Sequence, residues 1–154
     1  MKQSIGFLSI EIDNSTESNF IVNYINSLAT KYPYTDMILF NSVYNRQDES
    51  LNKFSTLHIN EAKFFTSPII AFNLKNMLFL KHCICKKIFY ALRPEWLVMN
   101  KSINYTDLKA LYEESCDVLM IPNQEDQELY SLCWKKPEVV EPSNYQKVME
   151  YAKL

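Results

Sequence analysis

The run Arg93-Pro94-Glu95-Trp96 sets an arginine, an acid and a large ring side by side. A guanidinium clamps a phosphate through two parallel hydrogen bonds, and an indole stacks on a base or a sugar. The competing reading is a surface pair of Arg93 and Glu95 with Trp96 packed beneath the loop. Arginine is scarce in this chain: Arg46 and Arg93 are the only two, and lysine supplies the other basic residues. Each therefore raises the question of whether it holds an anion or is simply solvated.

Other chemistry-bearing types are sparse. His58 and His82 belong to no zinc-ligand spacing. His58 alternates with Leu57 and Ile59, which puts it on the polar face of a strand, and His82 falls at a helix C-terminus, where the dipole favours a cation. His82-Cys83 is a poor nucleophile–base pair, because neighbours in a helix do not face each other. Cys83 and Cys85 are too closely spaced for a zinc knuckle, and no second pair follows. With Cys116 and Cys133 they are expected to be buried, reduced thiols. Glu125 and Asp126 are a pair of acids, but adjacent helical residues point apart, so a hydrolase or phosphotransferase built on them is the weakest functional class.

Glycine gives the sharpest exclusion. Gly6 is the only one in 154 residues. A dinucleotide fingerprint and a Walker A loop both need several glycines so that the backbone can approach a pyrophosphate, and a Gly-x-Ser-x-Gly nucleophile elbow is equally impossible. Any nucleotide would have to be held by side chains and helix N-termini. The net charge of −2 argues against nucleic acid, since phosphate-driven binding needs a basic surplus. No apolar run is long enough to span a bilayer, and Ile5 to Ile10 is too short and too soon followed by Glu11 to be a signal peptide. The expected compartment is cytoplasmic, with no membrane, so the sequons at Asn14 and Asn104 carry no meaning.

The elements that must position these residues alternate between strand-length apolar runs and stretches of helical period, as in stacked βαβ units. Strands are expected at Ser4 to Ile12, Met37 to Phe40, Phe54 to Ile59, Pro68 to Phe72, Lys87 to Leu92, Val118 to Ile121 and Pro137 to Val140. Helices are expected after caps at Asn14, Asn73, Thr106 and Ser143, with a further helix over Gln124 to Trp134 that turns Leu129, Leu132 and Cys133 inward. The fold class is α/β: one Rossmann-like or flavodoxin-like three-layer domain with a mostly parallel sheet. In such sheets ligands bind beyond the carboxyl ends of the strands. The polar residues there are Asp13 and Asn14; Asn41, Ser42 and Tyr44; Asn73; Arg93, Glu95 and Trp96; and Asn123, Gln124, Glu125 and Asp126. Asn41, Ser42, Asn73, Arg93, Glu95, Trp96, Asn123, Gln124 and Glu125 are the candidate ligand-binding residues, although helix capping and loop solvation account for many of them.

The segment Asp117-Val-Leu-Met-Ile-Pro122, then Glu125, then Cys133-Trp-Lys-Lys-Pro137-Glu-Val-Val140 resembles the donor-binding half of GT-B glycosyltransferases. The resemblance implies a Rossmann-like fold and a nucleotide-sugar donor. Aligned on Pro137, the acid that faces the donor ribose in that family falls on Tyr130, and the turn glycine falls on Lys135. A complete enzyme of that family has two such domains, and this chain has room for one. Its short length, its Asn, Lys and Tyr content and the Arg-Pro-Glu-Trp run also resemble small bacteriophage proteins. Two functions follow as expectations. The first is a non-catalytic or degenerate module that binds a protein partner or a ligand, with no cofactor and no metal. The alternative is a nucleotide-sugar-dependent, glycosyltransferase-like enzyme.

Overall fold

The computed structural model describes residues 3–99 and 104–153. In chain order, β1 (Gln3–Leu8) and β2 (Glu11–Ile12) lead into α1 (Thr16–Lys31), and β3 (Thr35–Asn41) and β4 (Val43–Tyr44) into β5 (Ser55–His58). Then come β6 (Ile69–Ala71), α2 (Leu74–Leu80), β7 (Lys87–Tyr90), α3 (Tyr105–Lys109), β8 (Val118–Ile121), α4 (Gln127–Cys133), β9 (Glu138–Val139) and α5 (Tyr145–Ala152). Seven strands form one sheet in the order β5-β3-β1-β6-β7-β8-β9, and every pairing is parallel. The chain builds outward from β1 in one direction, then returns beside β1 and builds outward in the other. That is the Rossmann order rather than the flavodoxin one, and it places a topological switch point between β1 and β6.

Side chains alternate across the sheet and feed two cores. Ile5 and Phe7 of β1, Ile70 of β6, Ile88 and Tyr90 of β7 and Met120 of β8 pack beneath α1 and α5. Leu8, Ile69, Ala71, Phe89, Leu119 and Ile121 face the other way, towards α2, Tyr112 and Tyr130. Because both faces are covered, the strands read as continuous apolar runs.

The boundaries correct several expectations. Ser4 to Ile12 is not one strand: the main sheet loses the chain after Leu8, and Glu11–Ile12 pairs instead with Val43–Tyr44 in a separate two-stranded sheet. Three helix caps fall one or two positions from the expected residues, Ser15 rather than Asn14, Asn104 rather than Thr106 and Asn144 rather than Ser143. Asn, Ser and Thr all cap well, so local side-chain bonds decide among adjacent candidates. The helix capped by Asn104 widens into a π-turn over Ala110–Glu114, with Ser115 N–H donating to the Ala110 carbonyl at 2.8 Å. The helix expected from Gln124 opens with a 3-10 turn over Gln124–Asp126, and its inward side chain is Tyr130, whereas Leu132 is 79% exposed. Cys83, Cys85 and Cys116 are buried; Cys133 is only half-buried.

Candidate functional site

The switch point carries a cleft of about 580 Å³. One side is formed by Ser9, Ile10, Glu11, Asp13 and the first turn of α1, including Glu17. The other is formed by Asn73, Lys75 and Asn76 at the start of α2 and by Leu92 and Arg93 after β7. The crevice opens because α1 covers one face of the sheet and α2 the other, so their N-termini part where β1 and β6 end.

Its shape depends on a detour. A tight glycine turn between β1 and α1 would bring the backbone close to a ligand. Here seven residues, 9–15, separate the two elements, and β2 pulls them sideways onto β4. Ser42 N–H and Asn45 N–H donate to the Ile10 and Ile12 carbonyls at 2.9 and 2.7 Å. Arg46 holds the same region: it forms a bidentate pair with Asp48 and donates to Asn19 Oδ1 at 2.5 Å and to the Asp13 carbonyl at 3.3 Å. Arg46 is thus a strut between the β4 loop and the start of α1.

Asp13 braces the cap of α1. Its Oδ1 accepts from Ser15 N–H at 2.9 Å and from Ser18 Oγ at 2.8 Å, and these bonds hold its carboxyl down to about 2. Two bonds cross the crevice at its floor. Asn73 Nδ2 donates to Glu17 Oε1, tying α2 to α1. Ile10 N–H donates to Asn76 Oδ1 at 3.1 Å, tying the β1 loop to α2. Asn76 is 2% exposed, and its Nδ2 has no hydrogen-bond partner. The side chains of Lys75 and Arg93, both exposed residues, make no hydrogen bond or ion pair with the described residues.

Glu95 stands just behind the cleft. Its two carboxylate oxygens accept from Leu74 N–H, at the start of α2, at 3.2 and 3.4 Å. Burial pushes its carboxyl up to about 7; the Leu74 bond opposes the rise, Glu17 adds to it, and Arg93 opposes it.

The candidate residues therefore do not share one site. Asn73 and Arg93 line the cleft, and Glu95 backs it. Trp96 turns away into an aromatic cluster, edge-on to Tyr130 at 4.5 Å, Tyr112 at 5.2 Å and Trp134 at 5.6 Å. Asn123, Gln124 and Glu125 border a separate depression with Glu141, Pro142 and Ser143. Asn41 is buried at the end of β3 with its Nδ2 unpartnered, and Ser42 is exposed in the β4 turn. Tyr130, the position aligned with the ribose-facing acid in the GT-B resemblance, is fully buried. Sequence reasoning missed Ser9, Glu11, Glu17, Lys75 and Asn76. Only Asn76 left a trace: an amide three residues after the Asn73 cap and next to the inward-facing Met77.

Among the described residues no group of His, Cys, Asp and Glu side chains is placed to hold a metal ion, and no helix is long and apolar enough to cross a membrane. Comparison of the sequence with protein-family models gave no match, and comparison with curated proteins gave none either.

Proposed function

We propose that this chain is a non-catalytic Rossmann-like binding module that takes a small polar ligand in the switch-point cleft. The observation that carries the reading is Asn76. A buried amide N–H without an acceptor costs about 1–3 kcal/mol, and this one belongs to a residue lining the crevice at the position where doubly wound sheets bind ligands. A ligand oxygen seated there would recover that cost. The cleft volume lies within the roughly 300–1,000 Å³ of ordinary small-molecule sites.

Two features favour this reading over a nucleotide-sugar enzyme. Glu17 puts a carboxylate in the first turn of α1, where the helix dipole would otherwise attract a phosphate. Trp96 and Tyr130 are engaged in the aromatic cluster and offer no stacking face to the cleft. Phe7, Phe40, Phe72, Phe89, Tyr90, Tyr112 and Tyr130 all lie inside, so these aromatics are not offered to a protein partner.

The test is a thermal-shift screen with neutral polyols, amino acids, carboxylic acids and uridine and adenine nucleotides, followed by amide chemical-shift mapping. At least one polar class should raise the melting temperature and perturb Ser9, Ile10, Asn73 and Asn76. The Asn76→Ala variant should lose that response. A flat screen, or perturbations confined to other regions, would overturn the reading.

A further inference from the structure

Resting on the cleft as a binding site, we propose that its ligand is a zwitterion of amino-acid or dipeptide size, with its ammonium on the β1–α1 side and its carboxylate on the α2–β7 side. The lining charges are segregated by the elements that bring them. Glu11, Asp13 and Glu17 arrive from the β1–α1 connection, whereas Lys75 arrives from α2 and Arg93 from the segment after β7. Asp13 is occupied by Ser15 and Ser18, which leaves Glu17 and Glu11 as the groups able to meet a cation. Glu17 spends Oε1 on Asn73, and that bond also fixes its direction across the floor.

The opposite side is equally distinct. Lys75 and Arg93 are the cations of the cleft, and neither is paired with a described acid although three carboxylates line the same crevice. Arg46 shows the contrast, with its guanidinium fully taken up by Asp48, Asn19 and the Asp13 carbonyl. An unpaired guanidinium presents a fork that fits a carboxylate. Asn76 Nδ2, buried on the α2 side without an acceptor, adds a neutral donor to the same half. A ligand with only an anion would leave its negative charge facing Glu17 and Glu11. One with only a cation would meet Lys75 and Arg93. A zwitterion meets complementary charge at both ends, and the like-charge contacts reject its singly charged relatives.

The test is calorimetric titration of the full chain with each of the common amino acids and a set of dipeptides. Acetate and propionate, methylamine and propylamine, and glycerol and a hexose serve as single-charge and neutral probes. At least one zwitterion should bind at least tenfold more tightly than its carboxylate-only and amine-only counterparts. Arg93→Ala and Glu17→Gln should each weaken it by tenfold or more. The exposed Arg93 side chain makes no hydrogen bond or ion pair with the described residues, so its removal should change the melting temperature little and separates lost binding from lost folding. If a polyol or a nucleotide binds at Asn76 while every zwitterion fails, the charge assignment is overturned and the cleft stands as a site. If no probe binds, both fall. If acetate alone binds as tightly as any zwitterion, the cationic half is an anion site and the zwitterion is overturned.

Discussion

Glu95 is the residue on which the charge state of the site region turns. It follows Pro94 in a short 3-10 turn and reaches back to cap the first N–H of α2, a position where an anion is welcome. Burial nevertheless wins over that bond, and its carboxyl rises from 4.5 to about 7. The folded state therefore binds this proton more tightly than the unfolded chain does. The resulting stability is fully present below pH 4.5 and is lost as pH rises through about 7. At about 1.4 kcal/mol per pH unit, discounted because the carboxyl keeps some contact with water, the effect is on the order of 1–3 kcal/mol. Glu95→Gln keeps an acceptor for Leu74 N–H and removes the titration. Thermal melts between pH 5 and 8 should show the wild type losing stability while the variant stays flatter. Parallel profiles for the two proteins would show that Glu95 titrates well below that window. The place of Glu95 just after the strand Lys87–Tyr90 was legible in the sequence. Its partner was not, because the carboxylate bonds a backbone N–H from a different crossover, 21 residues away.

At the scale of the element, β1 and its exit explain both the lone glycine and the missing glycine loop. Gly6 sits mid-strand and takes no unusual turn. A Cβ there would stand 2.8 Å from Ile69 Cγ1, 2.9 Å from Phe40 Cε2 and 3.1 Å from Phe65 Cε1. The glycine thus lets β1 pack closely beneath side chains from β3, β6 and the segment before β6. Gly6→Ala should destabilise by about 1–3 kcal/mol through overpacking, read as a lower denaturation midpoint at unchanged slope. A midpoint equal to the wild type would mean that the phenyl rings swing aside freely. The sequence established that no glycine-rich phosphate loop exists, but the detour that replaces it was hidden. Glu11–Ile12 follows directly on the apolar run of Ile5 to Ile10, and the acid at Glu11 does not by itself mark a transfer to β4. The cap positions slipped for a related reason. Asn14 and Ser15 are both good caps, and Asp13, by accepting from Ser15 N–H and Ser18 Oγ, selects the second. Tyr130, not Leu132, takes the interior of α4, which follows a 3-10 turn rather than running as one continuous helix from Gln124.

For the whole molecule, the strand order divides the sheet into a centre and two thin margins. β1 and β6, flanked by β3 and β7, are buried on both faces, and Phe7, Ile70 and Phe89 have no exposure. At one margin β5 is largely exposed, with Leu57 43% open; at the other, β9 contributes only two residues. Alternation of strands and helices was visible in the sequence, but the order was not. Which strands pair depends on contacts between segments far apart in the chain, such as Gly6 with Ile69. Local opening free energies follow burial and hydrogen bonding rather than chain position. Amides of Phe7, Leu39, Ile70 and Phe89 should therefore exchange with deuterium only through global unfolding, whereas those of β5 and β9 should exchange through smaller openings. Equal protection of the edges and the centre would show a sheet that opens only as one unit. The switch-point cleft lies between the two most central strands and is bridged by Asn73–Glu17 and Ile10–Asn76. A ligand seated there should slow exchange at the starts of α1 and α2 and leave β5 and β9 unchanged. Binding at an edge would reverse that pattern, so the same exchange map locates the ligand as well as ranking the strands.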